Sequence, residues 1–310
     1  MTKPFRFGVQ MNTLLPGESW ADTARRVENA GFSSMVMPDH FEDQLAVAPA
    51  LAVAAEATTD LRVGALVFGN DYRHPVILAK DMATLDVLSG GRMEFGIGAG
   101  WMQTDYDMSG MAYDRPGVRI DRMLESIEII RGLMGSDPVD FQGEHYTITA
   151  MNGLPKPVQN PPPLLIGGGG KRMLTIAGQL ADIVGVTANL KAGAIGPDAV
   201  SDLTPERFDE KLEWVRAAAG DRLADIEFNT LVMSTQVTDD RQTAVEGTGA
   251  LFGMDPAAVA ETPILLIGSP GEIAEQLHER RERWGFSYII VQGMDSVEAL
   301  RPVVAELAGT

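Results

Sequence analysis

Eight short runs of β-branched and apolar residues recur along this chain, and longer stretches with apolar residues at helical spacing lie between them. No other feature constrains the fold as much, because strands alternating with helices feed a parallel sheet that the helices then cover. The strand-like runs extend from Phe5 to Met11, Ser34 to Met37, Leu61 to Val67, Met93 to Gly98, Leu164 to Gly167, Asp182 to Val186, Ile226 to Met233 and Tyr288 to Gln292. Helix boundaries agree with them. A run opened by Glu18-Ser19-Trp20 reaches Ala30 with Gly31 behind it, and Pro75 sits at a first helical position before Val76 to Leu88. Thr204-Pro205-Glu206 opens a run to Ala219, and Ser269-Pro270-Gly271-Glu272 opens the last long one, which ends before Gly285.

Eight strands with interleaved helices in 310 residues fit one α/β domain, a closed (β/α)8 TIM barrel spanning residues 1–310. An open doubly wound sheet is the rival, since the order of strand pairing leaves no local trace. About 70 residues separate the starts of the fourth and fifth strands, twice the usual unit, so an insertion is expected at about 102–162. Its sequence reads as a helix from Val118 to Met134, then a hairpin from Val139 to Thr149 around Gly143, then a proline-rich return from Leu154 to Pro163. Irregular segments are expected at about 189–203 and 240–263. In a barrel, segments that follow strands gather at the C-terminal face, where catalytic groups sit.

Composition narrows the partners. Against 25 Lys and Arg stand 43 Asp and Glu, a net charge of -18 that repels polyanions and speaks against nucleic acid. The absence of cysteine removes disulfides, thiolate nucleophiles and Cys-bound metals, and points to an intracellular, cytoplasmic protein. Met1-Thr2-Lys3-Pro4 leads straight into a strand-like run with no apolar signal region, and the longest near-apolar run, Leu45 to Ala55, is broken by Pro49. That run is well short of the roughly 18 residues a membrane span needs.

Three places carry chemistry. Gly167-Gly168-Gly169-Gly170-Lys171-Arg172 follows the fifth strand and precedes a helix, so backbone amides, the helix N-terminus and two cations can converge on a phosphate. A flexible turn with solvated cations is the plainer alternative. Gly96-Ile97-Gly98-Ala99-Gly100-Trp101 ends the fourth strand without completing a G-x-G-x-x-G fingerprint. It allows either close approach to a flat or phosphorylated ligand or tight barrel packing. Of the four histidines, His74, His145 and His278 read as loop or solvated residues, and none of the four has metal-ligand spacing. His40 follows Pro38-Asp39 at the end of the second strand, where an imidazole can move a proton near pH 7 or merely cap a turn. Neighbours in extended backbone point opposite ways, so Asp39 is expected to contact a ligand on its own account rather than orient His40.

Taken together, Phe5-Arg6-Phe7-Gly8, Pro38-Asp39-His40-Phe41, Leu61 to Val67, Arg73-His74-Pro75, Thr84-Leu85-Asp86-Val87-Leu88-Ser89-Gly90-Gly91-Arg92, Gly96 to Trp101 and the four-glycine run resemble the bacterial luciferase-like superfamily. The aspartate-histidine pair resembles its branch dependent on the deazaflavin coenzyme F420. The resemblance implies an oxidoreductase that moves hydride between F420 and a small organic substrate, with His40 handling the proton. Asp39, Ala65, Leu66, Gly98, Ala99, Gly100, Gly167, Gly168, Gly169, Gly170 and Lys171 would then contact the coenzyme. Ala65-Leu66 would match a bulge whose non-proline cis peptide backs the ring. A homodimer is implied on the same ground. Two departures count against glucose 6-phosphate as substrate. Trp101 stands where the sugar-phosphate dehydrogenases carry a glutamate, and Gln44 stands where they carry a tryptophan. Trp101 suggests an apolar wall for a hydrophobic or planar substrate, or a packing residue. An FMN-dependent monooxygenase using dioxygen and a non-catalytic ligand-binding barrel are the alternative functions.

Overall fold

The computed structural model describes residues 3–310, and Met1 and Thr2 lie outside the described residues. All eight expected strands are present: β1 (Arg6–Gln10), β2 (Ser34–Met37), β3 (Arg62–Ala65), β4 (Met93–Gly98), β5 (Leu164–Gly168), β6 (Ile183–Val186), β7 (Glu227–Val232) and β8 (Phe286–Gln292). Each pairs in parallel with its sequence neighbours, β1 pairs with β8, and β3 pairs with β4 through Val63–Met93 and Gly64–Glu94. The sheet therefore closes on itself as a (β/α)8 barrel, and the open-sheet alternative is excluded.

Side-chain alternation along the strands explains how one pattern builds two cores. Residues such as Phe7, Val9, Met35, Val63, Ile97 and Ile166 join the large outer core beneath the helices. Val36, Leu165, Ile183, Tyr288 and Ile290 form a separate cluster, against which Leu66, Val67 and Leu231 pack. Below that inner cluster the barrel is plugged by ions. The Arg6 guanidinium reaches Glu94 at 2.7 Å and both oxygens of Glu227 at 2.8 and 2.7 Å. It lies 3.4 Å from the Tyr288 ring centroid. Arg62 meets the same Glu94 oxygen at 2.7 Å, and the Tyr288 hydroxyl donates to Glu94 at 3.1 Å.

Helix ends follow the expected chemistry. Ser19 caps Trp20–Asn29, and Ser269 with Glu272 forms a reciprocal capping box on Pro270–Trp284. His74 caps Pro75–Leu88 through Nδ1, which accepts from the Val76 amide. The insertion holds helices Gln103–Ser109 and Pro116–Met134 and an antiparallel hairpin of Val139–Gln142 with Thr147–Met151. One expectation is corrected. The segment at 240–263 is not irregular but forms helices Arg241–Phe252 and Pro256–Glu261, flanked by a parallel pair of short strands, Ser234–Val237 and Leu265–Gly268. Gly247 and Gly249 lower helix propensity there, while caps at Asp240 and Asp255 and burial of Val245 and Val259 decide the outcome. The segment at 189–203 carries one short helix, Pro197–Ser201, in otherwise irregular chain. No helix among the described residues is long and apolar enough to cross a membrane.

Candidate active site

The C-terminal ends of the strands bring the expected site residues to one face. His40 follows β2, Ala65 ends β3 and Gly98 ends β4, with Ala99, Gly100 and Trp101 directly after it. Gly167 and Gly168 end β5, and Gly169 and Gly170 lead into helix Lys171–Leu180. The chain bulges after β3, where the Leu66–Val67 peptide bond is cis, one residue beyond the Ala65–Leu66 bond.

His40 is held by a partner the sequence reading missed. Its Nδ1 donates to Asp105 Oδ2 at 2.7 Å, and the Asp105 carboxylate is fully buried. The Tyr72 hydroxyl donates to the same oxygen at 2.8 Å, and the Phe41 amide donates to Oδ1 at 3.2 Å. Asp105 comes from helix Gln103–Ser109 of the insertion, 65 residues from His40, and nothing local marks it among 43 carboxylates. The usable signal was its position four residues after Trp101, on the first chain to leave the fourth strand.

A reciprocal bond locks that helix. Tyr72 reaches Asp105, and Tyr106 donates back to Asp71 at 3.1 Å, with the two rings edge to face at 5.7 Å. Asp71 is also paired with Arg122 at 2.9 Å. Burial, reinforced by Asp105, pushes the Tyr72 phenol far above its ordinary range, and burial with Asp71 does the same to Tyr106. Both stay protonated donors. The Trp101 ring stands nearly perpendicular to the imidazole, with centroids 5.7 Å apart.

Asp39 has a different environment from the one expected. Arg73 grips both its oxygens, at 2.6 and 3.0 Å, and the Gly69 amide donates at 3.0 Å. With 7% of its surface exposed, Asp39 is first of all an anchor for the chain after β3. Gln44 donates to the Pro38 carbonyl at 2.9 Å, bracing the same turn.

The two glycine clusters differ in kind. A Cβ on Gly96 would lie 2.0 Å from the Ala65 carbonyl oxygen, so close packing of β4 on the end of β3 requires glycine there. In the other cluster, a Cβ on Gly169 would strike the Ala188 backbone at 2.2 Å, whereas Gly167 and Gly170 have only ordinary contacts, the nearest at 3.8 and 3.5 Å. Helix Lys171–Leu180 starts at Gly170 with no side-chain cap, leaving its first amides for another acceptor. Lys171 is exposed, while Arg172 is paired with Asp121 and bonds the Gly117 carbonyl at 3.2 Å, tying this loop to the insertion. Beside it the buried Lys211 ammonium donates to the carbonyls of Thr187 at 2.8 Å and Asp202 at 2.7 Å, and to Asp202 Oδ2 at 2.7 Å. Burial lowers its pKa while Asp202 opposes the shift.

The remaining histidines sit apart from this dyad. His74 caps its helix and packs against Tyr146, and His278 packs on Phe5 with centroids 5.5 Å apart. His145 lies in the insertion hairpin, its amide donating to Glu125 at 3.0 Å.

A family model described as luciferase-like monooxygenase matches residues 3–253. The F420-dependent glucose-6-phosphate dehydrogenase of Amycolatopsis mediterranei is 34% identical over 167 residues, covering 51% of this chain and 50% of that one. The chain spans about half the length of the first curated relatives it matches. Among solved structures, the coenzyme F420-dependent tetrahydromethanopterin reductase of Methanopyrus kandleri superposes with a TM-score of 0.76 at 20% identity, covering 98% of both chains. The oxygenating constituent of 3,6-diketocamphane monooxygenase of Pseudomonas putida, solved with FMN, does so at 0.73 and 17% identity, again covering 98% of both. Both likenesses concern the fold.

Proposed function

The chain belongs to the luciferase-like monooxygenase family, and from that premise we propose an F420-dependent oxidoreductase that transfers hydride between the deazaflavin and a small apolar or planar substrate. The observation that carries this reading is the His40–Asp105 dyad at the barrel mouth, 2.7 Å across and walled by Trp101. F420-dependent relatives support the choice of coenzyme.

The residues present fit such a ligand. Leu66, Val67 and Leu231 offer an apolar floor, and the loop from Gly167 to Gly170 meets an uncapped helix N-terminus with Lys171 beside it. That loop and Lys171 would hold the phosphate, and Leu66 with Ala99 and Gly100 would bound the ring. When bound, the deazaflavin supplies a two-electron hydride carrier. The protein handles the proton. Asp105 takes the Nδ1 hydrogen bond, so Nε2 is the ring nitrogen left for substrate. Nε2 receives the proton when a hydroxyl-bearing carbon is oxidised and returns it when a carbonyl is reduced, and Asp105 stabilises the imidazolium in between. Trp101 covers the imidazole with an apolar ring and favours a substrate with a flat or hydrophobic face.

Fluorescence titration with F420, FMN and NADPH tests the coenzyme. Binding of F420 is the expected result, binding of FMN without F420 replaces this reading with a flavin monooxygenase, and binding of none leaves a ligand-binding barrel. His40→Ala should keep coenzyme affinity and lose roughly 10²–10⁴-fold in kcat; unchanged turnover would remove His40 from the chemistry.

A further inference from the structure

Inward-facing side chains at the top of the barrel are apolar where Leu66, Val67 and Leu231 pack on the inner cluster. A pair of amides interrupts them. Gln10 is the last residue of β1 and Gln292 the last of β8, and the two are register partners. Strand alternation turns Gln10 inward, on the same side as Arg6 of the barrel plug. The Gln292 amide nitrogen donates to Gln10 Oε1 at 3.3 Å, and the Gln10 amide nitrogen donates to the Leu66 carbonyl at 3.2 Å. Each side-chain amide has two N–H groups and a carbonyl with two lone pairs. These bonds leave each glutamine a free N–H and an accepting oxygen, and both side chains keep contact with solvent.

Position gives the pair a direction. In the eight-strand ring β1 lies opposite β5, so the amides face the glycine loop across the mouth, with His40 and Leu66 on the strands between. A flat molecule held by its phosphate at the loop would extend over Leu66 and Val67 towards this pair. Two adjacent amides offer alternating donors and acceptors, which suits an edge that alternates carbonyl, N–H and carbonyl.

We propose that Gln10 and Gln292 form a recognition subsite for the imide edge of the pyrimidinedione ring that flavins and deazaflavins share, an inference that rests on the coenzyme reading above. The Gln10 amide also holds the Leu66 carbonyl of the cis-peptide bulge. The Gln292 side chain bonds Gln10 and not the Leu66 carbonyl, so its variants separate recognition from support of the bulge.

The test is a binding titration with whichever of F420 and FMN the wild-type protein takes, and with the N3-methyl derivative of the same compound, whose imide hydrogen is gone. Wild type should bind the parent at least about tenfold more tightly than the methyl derivative. Gln10→Leu and Gln292→Leu, each checked for an unchanged melting temperature, should bind the parent about tenfold more weakly and lose most of that preference. Parent affinity and preference retained in Gln292→Leu overturn the subsite, and so does a Gln10→Leu variant that folds and discriminates like wild type. If the wild-type protein takes neither F420 nor FMN, the coenzyme reading fails first and the subsite falls with it.

Discussion

A fully buried carboxylate needs its hydrogen bonds complete, and Asp105 receives them from His40, Tyr72 and the Phe41 amide. Asp105→Asn keeps the shape but removes the carboxylate that His40 Nδ1 bonds, so on the proposed reading kcat should fall by about 10²-fold with little change in coenzyme affinity. A pH–rate profile that stays unchanged in this variant would reject the positioning role. Tyr72→Phe removes one donor and should cost about tenfold in kcat together with about 1–3 kcal/mol of stability. At the opposite end of the barrel, burial alone would raise the pKa of Glu94, but Arg6 and Arg62 overcome it and hold the carboxyl below its ordinary range. A depressed folded-state pKa contributes stability that is present above the unfolded value of about 4.3 and is lost as pH falls through the folded one. Melting temperatures should therefore drop on acidification below about pH 5, and Glu94→Gln should be destabilised by about 3 kcal/mol or more while losing part of that acid dependence.

Elements whose ends carry strong chemistry were readable in advance. Ser19 before Trp20, Pro75 after His74, and Ser269 with Glu272 mark helix starts that the structure places within a residue. The reciprocal box on Pro270–Trp284 makes Ser269→Ala worth about 1 kcal/mol, seen as a melting temperature lower by about 1–2 °C. Helix Arg241–Phe252 was not readable because Gly247 and Gly249 dilute its pattern, and its stability comes from tertiary contacts with Pro256–Glu261 and the strand Leu265–Gly268. Helix Gln103–Ser109 has seven residues and no side-chain N-cap, so its place depends on the bonds between Tyr72 and Asp105 and between Tyr106 and Asp71. Tyr106→Phe should speed amide hydrogen exchange across Gln103–Ser109 while leaving the barrel strands protected.

For the molecule as a whole, the strand–helix alternation was legible, but ring closure was not. Pairing of β1 with β8 joins residues more than 280 positions apart, and no local pattern encodes it. The site divides the same way. His40, Trp101 and the glycine run follow strands and could be placed from the pattern, whereas Asp105 arrives on an insertion whose path only the folded chain defines. The long-range charge acts on every element at once: at -18 the surface repels itself, so moderate salt should raise the melting temperature by screening. The plug of Arg6, Glu94, Arg62 and Glu227 closes the barrel from below and leaves the mouth as the way in. A coenzyme lying across that mouth and a substrate stacked above it would share one doorway. On the proposed reading turnover would have a compulsory order, coenzyme first in and last out, and dead-end inhibition patterns in steady-state kinetics would test it.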